Sequence, residues 1–364
     1  MEVVLNRKKL YSMIAMSLLL IFACQRNIQG PDEKAFAWPQ ASAESQNIDI
    51  EKLTAAFQTA GLRPFINGIV IVRNGFLVGE RYYNGVDQND AHNVRSISKS
   101  FLSALIGIAE ERESLSLDNE VMDYFPEYSG AVQDARVYDA TVADLLTMRG
   151  GFPGERDAYF IVTSSSDWIH TTLSMQLLFN PGSAFKYSTA ATHLLSAILT
   201  KAVGQSSLEF GSEQLFQPLG ITARNWLQDP QGYYFGGTDM FFTVRDIARF
   251  GQLYLDGGKA HGEQLISQSW VEQSLRPSYI SKGGNWGDLD NIAYGRLWWL
   301  GEIRGRKVQM ALGHGGQFIL LFPELNVIIA ACSKSEVDWD VADEQERGVS
   351  VSYTHLTLPT KVSG

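Results

Sequence analysis

The strand-forming runs of this chain lie at its two ends, and that placement most constrains how it can fold. Near the start, INGIVIVRNGFLVGERYYNG (66–85) sets two apolar or β-branched runs around Asn74-Gly75, the strongest short hairpin signal. After residue 292 come IAYGRLWWLGEI, KVQMALGHGGQFILLF and NVIIAACS, joined at Arg304-Gly305-Arg306 and at Pro323-Glu324-Leu325-Asn326. Connections this short imply antiparallel neighbours. The rest is helical in period. Apolar residues recur every three or four positions over 49–60, 96–111, 140–148, 194–203, 243–255 and 267–275. Gly61, Gly150-Gly151, Gly204 and Gly257-Gly258 act as stops, and Thr243 as a cap. The expected class is α/β in the α+β sense: an antiparallel sheet built from both chain ends, flanked by helices, with an inserted, mainly helical region. A site is expected at the seam between them.

Both termini read as something other than the fold. Residues 1–23 have a basic start (Arg7, Lys8, Lys9) and an apolar run from Tyr11 to Ala23. That run is shorter than the ~20 residues needed to span a bilayer, and it matches a secretory signal peptide. It closes on Ile21-Phe22-Ala23-Cys24, which resembles a bacterial lipobox, with Phe22 an unusual occupant. That resemblance implies cleavage before Cys24, lipidation of its sulfur and a membrane-anchored location in the cell envelope. Plain secretion and an uncleaved anchor are the alternatives. Residues 24–47 are polar and read as a tether. At the other end, VSYTHLTLPT (351–360) resembles the translation of a sequencing-adapter read-through, so residues 349–364 are read as a non-native tail. The folded domain is then expected over 48–348.

Composition removes several function classes. With 30 basic against 40 acidic residues the chain lacks the basic surface that phosphate backbones require, so nucleic acid is not expected as a partner. Two cysteines, Cys24 and Cys332, form no CxxC pair. No HExxH, P-loop, GxGxxG or GxSxG elbow occurs, so no metal and no nucleotide cofactor is expected.

Chemistry enters at VRSISKSFLSALIGIAEE (94–111). The helix is apolar from Phe101 onward, but its first turn carries Ser96, Ser98, Lys99 and Ser100. Residues three apart share a helix face, with Cβ atoms ~5–6 Å apart, so Ser96 and Lys99 face each other. The helix start also favours negative charge on the serine oxygen. A lysine at its ordinary pKa is neutral in only about one molecule in 2500 at pH 7, so acting as a base takes a downward shift of ~3 units. Burial beside the apolar helix can supply it. The pattern alone is not specific, because Ser183-Ala184-Phe185-Lys186 also matches it, in a stretch read as a loop.

Three segments in order sharpen the reading: Ser96-Ile97-Ser98-Lys99 heading a helix, Tyr187-Ser188-Thr189 after PGSAFK, and His314-Gly315-Gly316, read as part of a strand. Together they resemble the serine beta-lactamase-related family. It includes class C beta-lactamases, D-alanyl-D-alanine carboxypeptidases, family VIII esterases and 6-aminohexanoate-dimer hydrolases. ATVADLLTMRGGFP, FFTVRDIARFGQLYLDGG and ALGHGGQFILLFPELNVIIA add to the likeness, which covers about 48–334.

The resemblance implies a beta-lactamase/transpeptidase-like fold and a small-molecule ester or amide substrate. It implies Ser96 as acylated nucleophile, Lys99 as its base, directly or through Tyr187, and Tyr187 as proton shuttle, its phenol pKa lowered by the neighbouring ammonium. The backbone N–H groups of Ser96 and Gln317 would form the oxyanion hole, while Thr189, His314, Gly315 and Gly316 would bind substrate. The family's carboxy-terminal helix would be missing if the tail is foreign. Two departures matter. His314-Gly315 stands where beta-lactamases usually have lysine then threonine or serine, and Thr189 stands where they have asparagine. Both fit an ester or linear-amide hydrolase better than the alternatives, a beta-lactamase or D-alanyl-D-alanine peptidase, with a slow-acylating penicillin or peptide sensor as a further alternative. Trp298 and Trp299 could line an acyl pocket or pack the sheet, and Met148–Phe152 with the loop to Asp167, including Tyr159, could form a lid.

Overall fold

The Asn74-Gly75 turn forms with both residues at positive φ (53° and 79°), joining β1 (Ile66–Arg73) to β2 (Phe76–Tyr82) as an antiparallel pair. The computed structural model describes residues 38–281 and 289–354. The expected signal peptide, the lipidation site at Cys24, most of the tether, and residues 355–364 of the tail lie outside the described residues.

Six more strands complete the main sheet: β3 (Tyr279–Ile280), β4 (Leu289–Tyr294), β5 (Trp299–Ile303), β6 (Arg306–Gly313), β7 (Gln317–Phe322) and β8 (Val327–Ser333). Their order is β2-β1-β8-β7-β6-β5-β4-β3, antiparallel throughout. The first and last strands in sequence, β1 and β8, are therefore neighbours, and the sheet is built from both chain ends as expected. Its central strands read as continuous apolar runs because both faces are covered. On one face Val70, Val72, Ile319, Leu321 and Ile328 join the larger core, while on the other Ile69, Ile71, Phe318, Leu320 and Ile329 join a second one.

Helix α1 (Ile50–Gly61) covers the second face. Asp49 caps it, accepting from the N–H groups of Glu51 (3.0 Å) and Lys52 (3.1 Å). The inserted helices are α2 (Ile97–Glu111), α3 (Glu155–Thr163), α4 (Thr189–Val203) and α5 (Val244–Leu255); the larger core lies between the sheet and α2, α4 and α5, while Ala158 and Val162 of α3 pack in a smaller cluster with Trp168, Ala190 and Phe235. Phe101 of α2 stacks on Phe242 (4.6 Å) and on Phe250 of α5 (3.8 Å). Gly251 lets α5 approach the sheet: a Cβ there would sit 2.9 Å from the Ile319 side chain.

Two expectations need correction. His314-Gly315-Gly316 is not in a strand. β6 ends at Gly313, β7 begins at Gln317, and the three residues between them form the turn, with Gly315 and Gly316 at φ 79° and 93°. The stretch Gly150–Asp167 is not all loop, because α3 occupies its middle. After β8 a helix, α6 (Trp339–Thr354), runs into the stretch read as a non-native tail, and Ala342 and Gln345 are buried on it.

Candidate active site

Helix α2 begins where the chain passes from the small strand at His92–Asn93 into the core. Arg95, just before the helix, adopts a left-handed conformation (φ 51°), unfavourable for a residue with a Cβ. It is held there by its N–H donating to Asn93 Oδ1 (2.9 Å) and its guanidinium donating to the Ser335 carbonyl (2.8 Å) and Glu336. Asn93 in turn donates to Asp239 (2.5 Å). This turn brings Ser96 to the helix cap. A serine at a cap usually accepts from a backbone N–H of the first turn, worth ~1 kcal/mol. Ser96 makes no such bond. Its Oγ faces Lys99 instead, with Lys99 Nζ 2.8 Å away.

Lys99 is 1% exposed. Its ammonium donates to three acceptors: Ser96 Oγ, Thr189 Oγ1 (2.8 Å) and the Gly237 carbonyl (2.6 Å). The Tyr187 ring lies beside it, with its centroid 4.9 Å from Nζ. Burial pushes Lys99 down to about 8, although Glu155 and Asp239 pull the other way. At pH 7 roughly one lysine in ten is then neutral, some 250-fold more than for an exposed lysine. Desolvation thus supplies most of the shift that a lysine base requires.

Tyr187 precedes α4, which is capped by Ser188, and it borders the same cavity as Ser96. Its ring stacks on Trp299 (5.7 Å, 21° between planes). The expected lowering of its pKa by the ammonium is reversed. Desolvation, with Glu155 adding to it, pushes the phenol well above its ordinary value. The phenol therefore carries its proton at neutral pH.

Ser96 opens into a cavity of about 570 Å³ bordered by Tyr187, Thr189, Trp299 and the end of β6. Thr189 is the first residue of α4. Its N–H and its hydroxyl both donate to Glu155, at 2.9 and 2.8 Å. Tyr159, on the same helix as Glu155, also lines the cavity, and burial raises its phenol to about 12. Of the two tryptophans, Trp298 is fully buried in the core and Trp299 faces the cavity.

The third expected segment divides. Leu312, Gly313 and His314 border the cavity, whereas Gly315, Gly316 and Gln317 do not. Gln317 is fully buried and its amide is tied to Ser333, accepting from its N–H (2.9 Å) and donating to its carbonyl (3.1 Å). The His314 Nε2 lies 2.9 Å from the Val337 carbonyl, and its ring meets Trp339 edge-on at 4.8 Å. The Gly315 N–H donates to Glu346 (3.1 Å), whose carboxyl burial pushes up to about 7. The two glycines form the turn, and Gly315 joins it to α6 through Glu346.

Glu155 and Asp239 escaped the sequence reading. Each reaches the site from a separate element, and the helical period around α2 says nothing of either.

Comparison with known proteins places this geometry among relatives. Residues 56–351 match the family model described as Beta-lactamase. The chain is 26% identical over 285 residues to a 6-aminohexanoate-dimer hydrolase of Paenarthrobacter ureafaciens, covering 73% of this chain and 72% of that protein. Among solved structures it resembles a putative 6-aminohexanoate-dimer hydrolase from Bacillus anthracis (TM-score 0.70, 20% identity, 89% of each chain). It also resembles EstCE1, a hydrolase with promiscuous acyltransferase activity (TM-score 0.66, 16% identity, 85% of this chain and 100% of that one).

Proposed function

The chain belongs to the Beta-lactamase family, and from that premise we propose that it is a serine hydrolase cleaving a carboxylic ester or linear amide through an acyl-enzyme on Ser96. The observation that carries this is the enclosed lysine: Lys99 lies 2.8 Å from Ser96 Oγ and is depressed to about 8 by burial.

Neutral Lys99 takes the Oγ proton as Oγ attacks the carbonyl carbon, leaving an ammonium and a tetrahedral oxyanion. The Ser96 N–H at the helix start is one oxyanion donor. The second is assigned to the Gly313–His314 backbone, which borders the cavity, in place of Gln317, which does not. As the carbonyl reforms, the C–O or C–N bond breaks and the Tyr187 hydroxyl gives its proton to the departing group, recovering one from Lys99. Water then attacks the acyl carbon, Lys99 again accepting a proton; as the acyl C–Oγ bond breaks, Lys99 returns that proton to Ser96 Oγ and the carboxylic acid leaves.

The cavity wall bears on the substrate. Among the described residues, Glu155, Glu336, Asp343 and Glu346 line it against the guanidinium of Arg95, itself engaged by Glu336 and Asp239. A beta-lactam brings a carboxylate, which this lining disfavours, while an uncharged ester or amide meets no such penalty. The relative from Paenarthrobacter ureafaciens, by its name a hydrolase of a 6-aminohexanoate dimer, supports the linear-amide side of the proposal, since such a dimer balances its carboxylate with an ammonium that an acidic lining attracts. Export and anchoring through lipidated Cys24 belong to the same reading and rest on the sequence alone. Radiolabelled palmitate should enter the wild type and not Cys24→Ala.

A panel of p-nitrophenyl esters, linear amides and nitrocefin tests the function. Turnover of esters or amides that outpaces nitrocefin, and that vanishes in Ser96→Ala, is the expected result. Full turnover by Ser96→Ala would sink the proposal.

A further inference from the structure

A neutral lysine that is to accept a proton has two N–H bonds and one lone pair, and the lone pair must face the serine. Around Lys99 the Gly237 carbonyl, 2.6 Å away, can only accept, so it fixes one N–H. Thr189 Oγ1, at 2.8 Å, is different, because a hydroxyl rotor can accept or donate. If it donated, it would cap the lone pair and Lys99 could not take the proton of Ser96. Glu155 removes that freedom. One carboxylate oxygen takes the Thr189 hydroxyl proton at 2.8 Å and the other takes the Thr189 N–H at 2.9 Å. The hydroxyl is left with only lone pairs to offer Lys99.

Resting on the serine-hydrolase reading above, we propose that Glu155 is a positioning residue for the base: it holds the Thr189 hydroxyl as an acceptor, so that the Lys99 lone pair can point only at Ser96. A chain of hydrogen bonds runs Ser96–Lys99–Thr189–Glu155 with every donor and acceptor role assigned. The carboxylate comes from α3 and the threonine from α4, 34 residues apart in sequence. The half-buried Glu155 also borders the cavity. The other groups facing Lys99 are Tyr187 ahead of α4 and Asp239 from the segment before Met240, with Arg95 beyond, engaged by Asp239 and Glu336.

Glu155→Gln tests this directly, because an amide can donate to the threonine oxygen and so release the rotor. With a p-nitrophenyl ester, kcat/KM should fall roughly 10-fold to 100-fold, within the range for a compromised general base. The acid limb of its pH profile should also move to lower pH, since a carboxylate that favours the ammonium is gone. A residue that merely stiffened the fold would lower activity without moving that limb. Thr189→Val keeps the account falsifiable should Glu155→Gln fold poorly. In Thr189→Val no hydroxyl remains that could donate to Lys99, so adding Glu155→Gln should cost only a few-fold. The inference is overturned if Glu155→Gln leaves both kcat/KM and the limb unchanged, or if its cost is the same in the Thr189→Val background. These outcomes presuppose a wild type that turns over the ester. If the wild type neither turns over the panel nor takes a fluorophosphonate label, the serine-hydrolase reading itself fails and takes this inference with it.

Discussion

Two Ser-x-x-Lys sequences occur in this chain, at 96–99 and at 183–186, and the fold treats them in opposite ways. The first spans the start of a helix, which fixes the three-residue spacing so that Nζ and Oγ meet at 2.8 Å. The second lies in a turn. Ser183 and Lys186 are exposed, and the Ser183 hydroxyl is spent on the Asn180 carbonyl at 2.6 Å. Spacing alone therefore does not make a base. The lysine must also be desolvated, and only the first one is driven into a core by an apolar helix. Polar residues at the head of α2 are retained at a cost to stability, since burying them requires the partners supplied by Thr189 and Gly237.

The contrast can be broken at several points. Ser96→Ala should cause the largest loss, roughly 10⁴-fold or more in kcat, because no acyl-enzyme can form. Lys99→Met should follow at roughly 10²-fold to 10⁴-fold, the usual worth of a positioned base. The pH profile of kcat/KM sharpens the same point. Lys99 must be neutral to act and burial places it at about 8, so activity should rise with pH through about 8 and level off above it. An acid limb near 10 would mean an exposed lysine and would remove the basis of the contrast. Tyr187→Phe should cost less than either variant, about 10-fold to 100-fold, more for amides than for activated esters whose leaving group needs no proton. Ser183→Ala and Lys186→Ala should sit at the bottom, with activity within about two-fold of wild type and stability within ±0.5 kcal/mol.

Much of the architecture was legible because it follows from patterns of short range. Asn74-Gly75 dictated its hairpin, and the apolar runs of β7 and β8 announced strands. The helix at Ser96 was legible from its period. What failed was of a different kind. The turn at His314–Gly316 was hidden because the strands on either side read as one run, and only positive φ at two glycines reveals the break. The role of Tyr187 as a proton carrier rested on family likeness, and the sign of its pKa shift was misjudged because a nearby cation was weighed without the larger cost of burial. Glu155 had no local signature, since its meaning comes from a threonine 34 residues away. A carboxylate within a polar stretch looks solvated until the tertiary structure turns it inward.

The central claim is that one of two identical motifs is a reactive serine–lysine pair and the other is not. Labelling the wild type with a fluorophosphonate and locating the adduct by peptide mass spectrometry tests it most directly. The account predicts a single adduct on Ser96, formed faster as pH rises through about 8 and absent from Ser96→Ala. An adduct on Ser183, or undiminished labelling of Ser96→Ala, would contradict it.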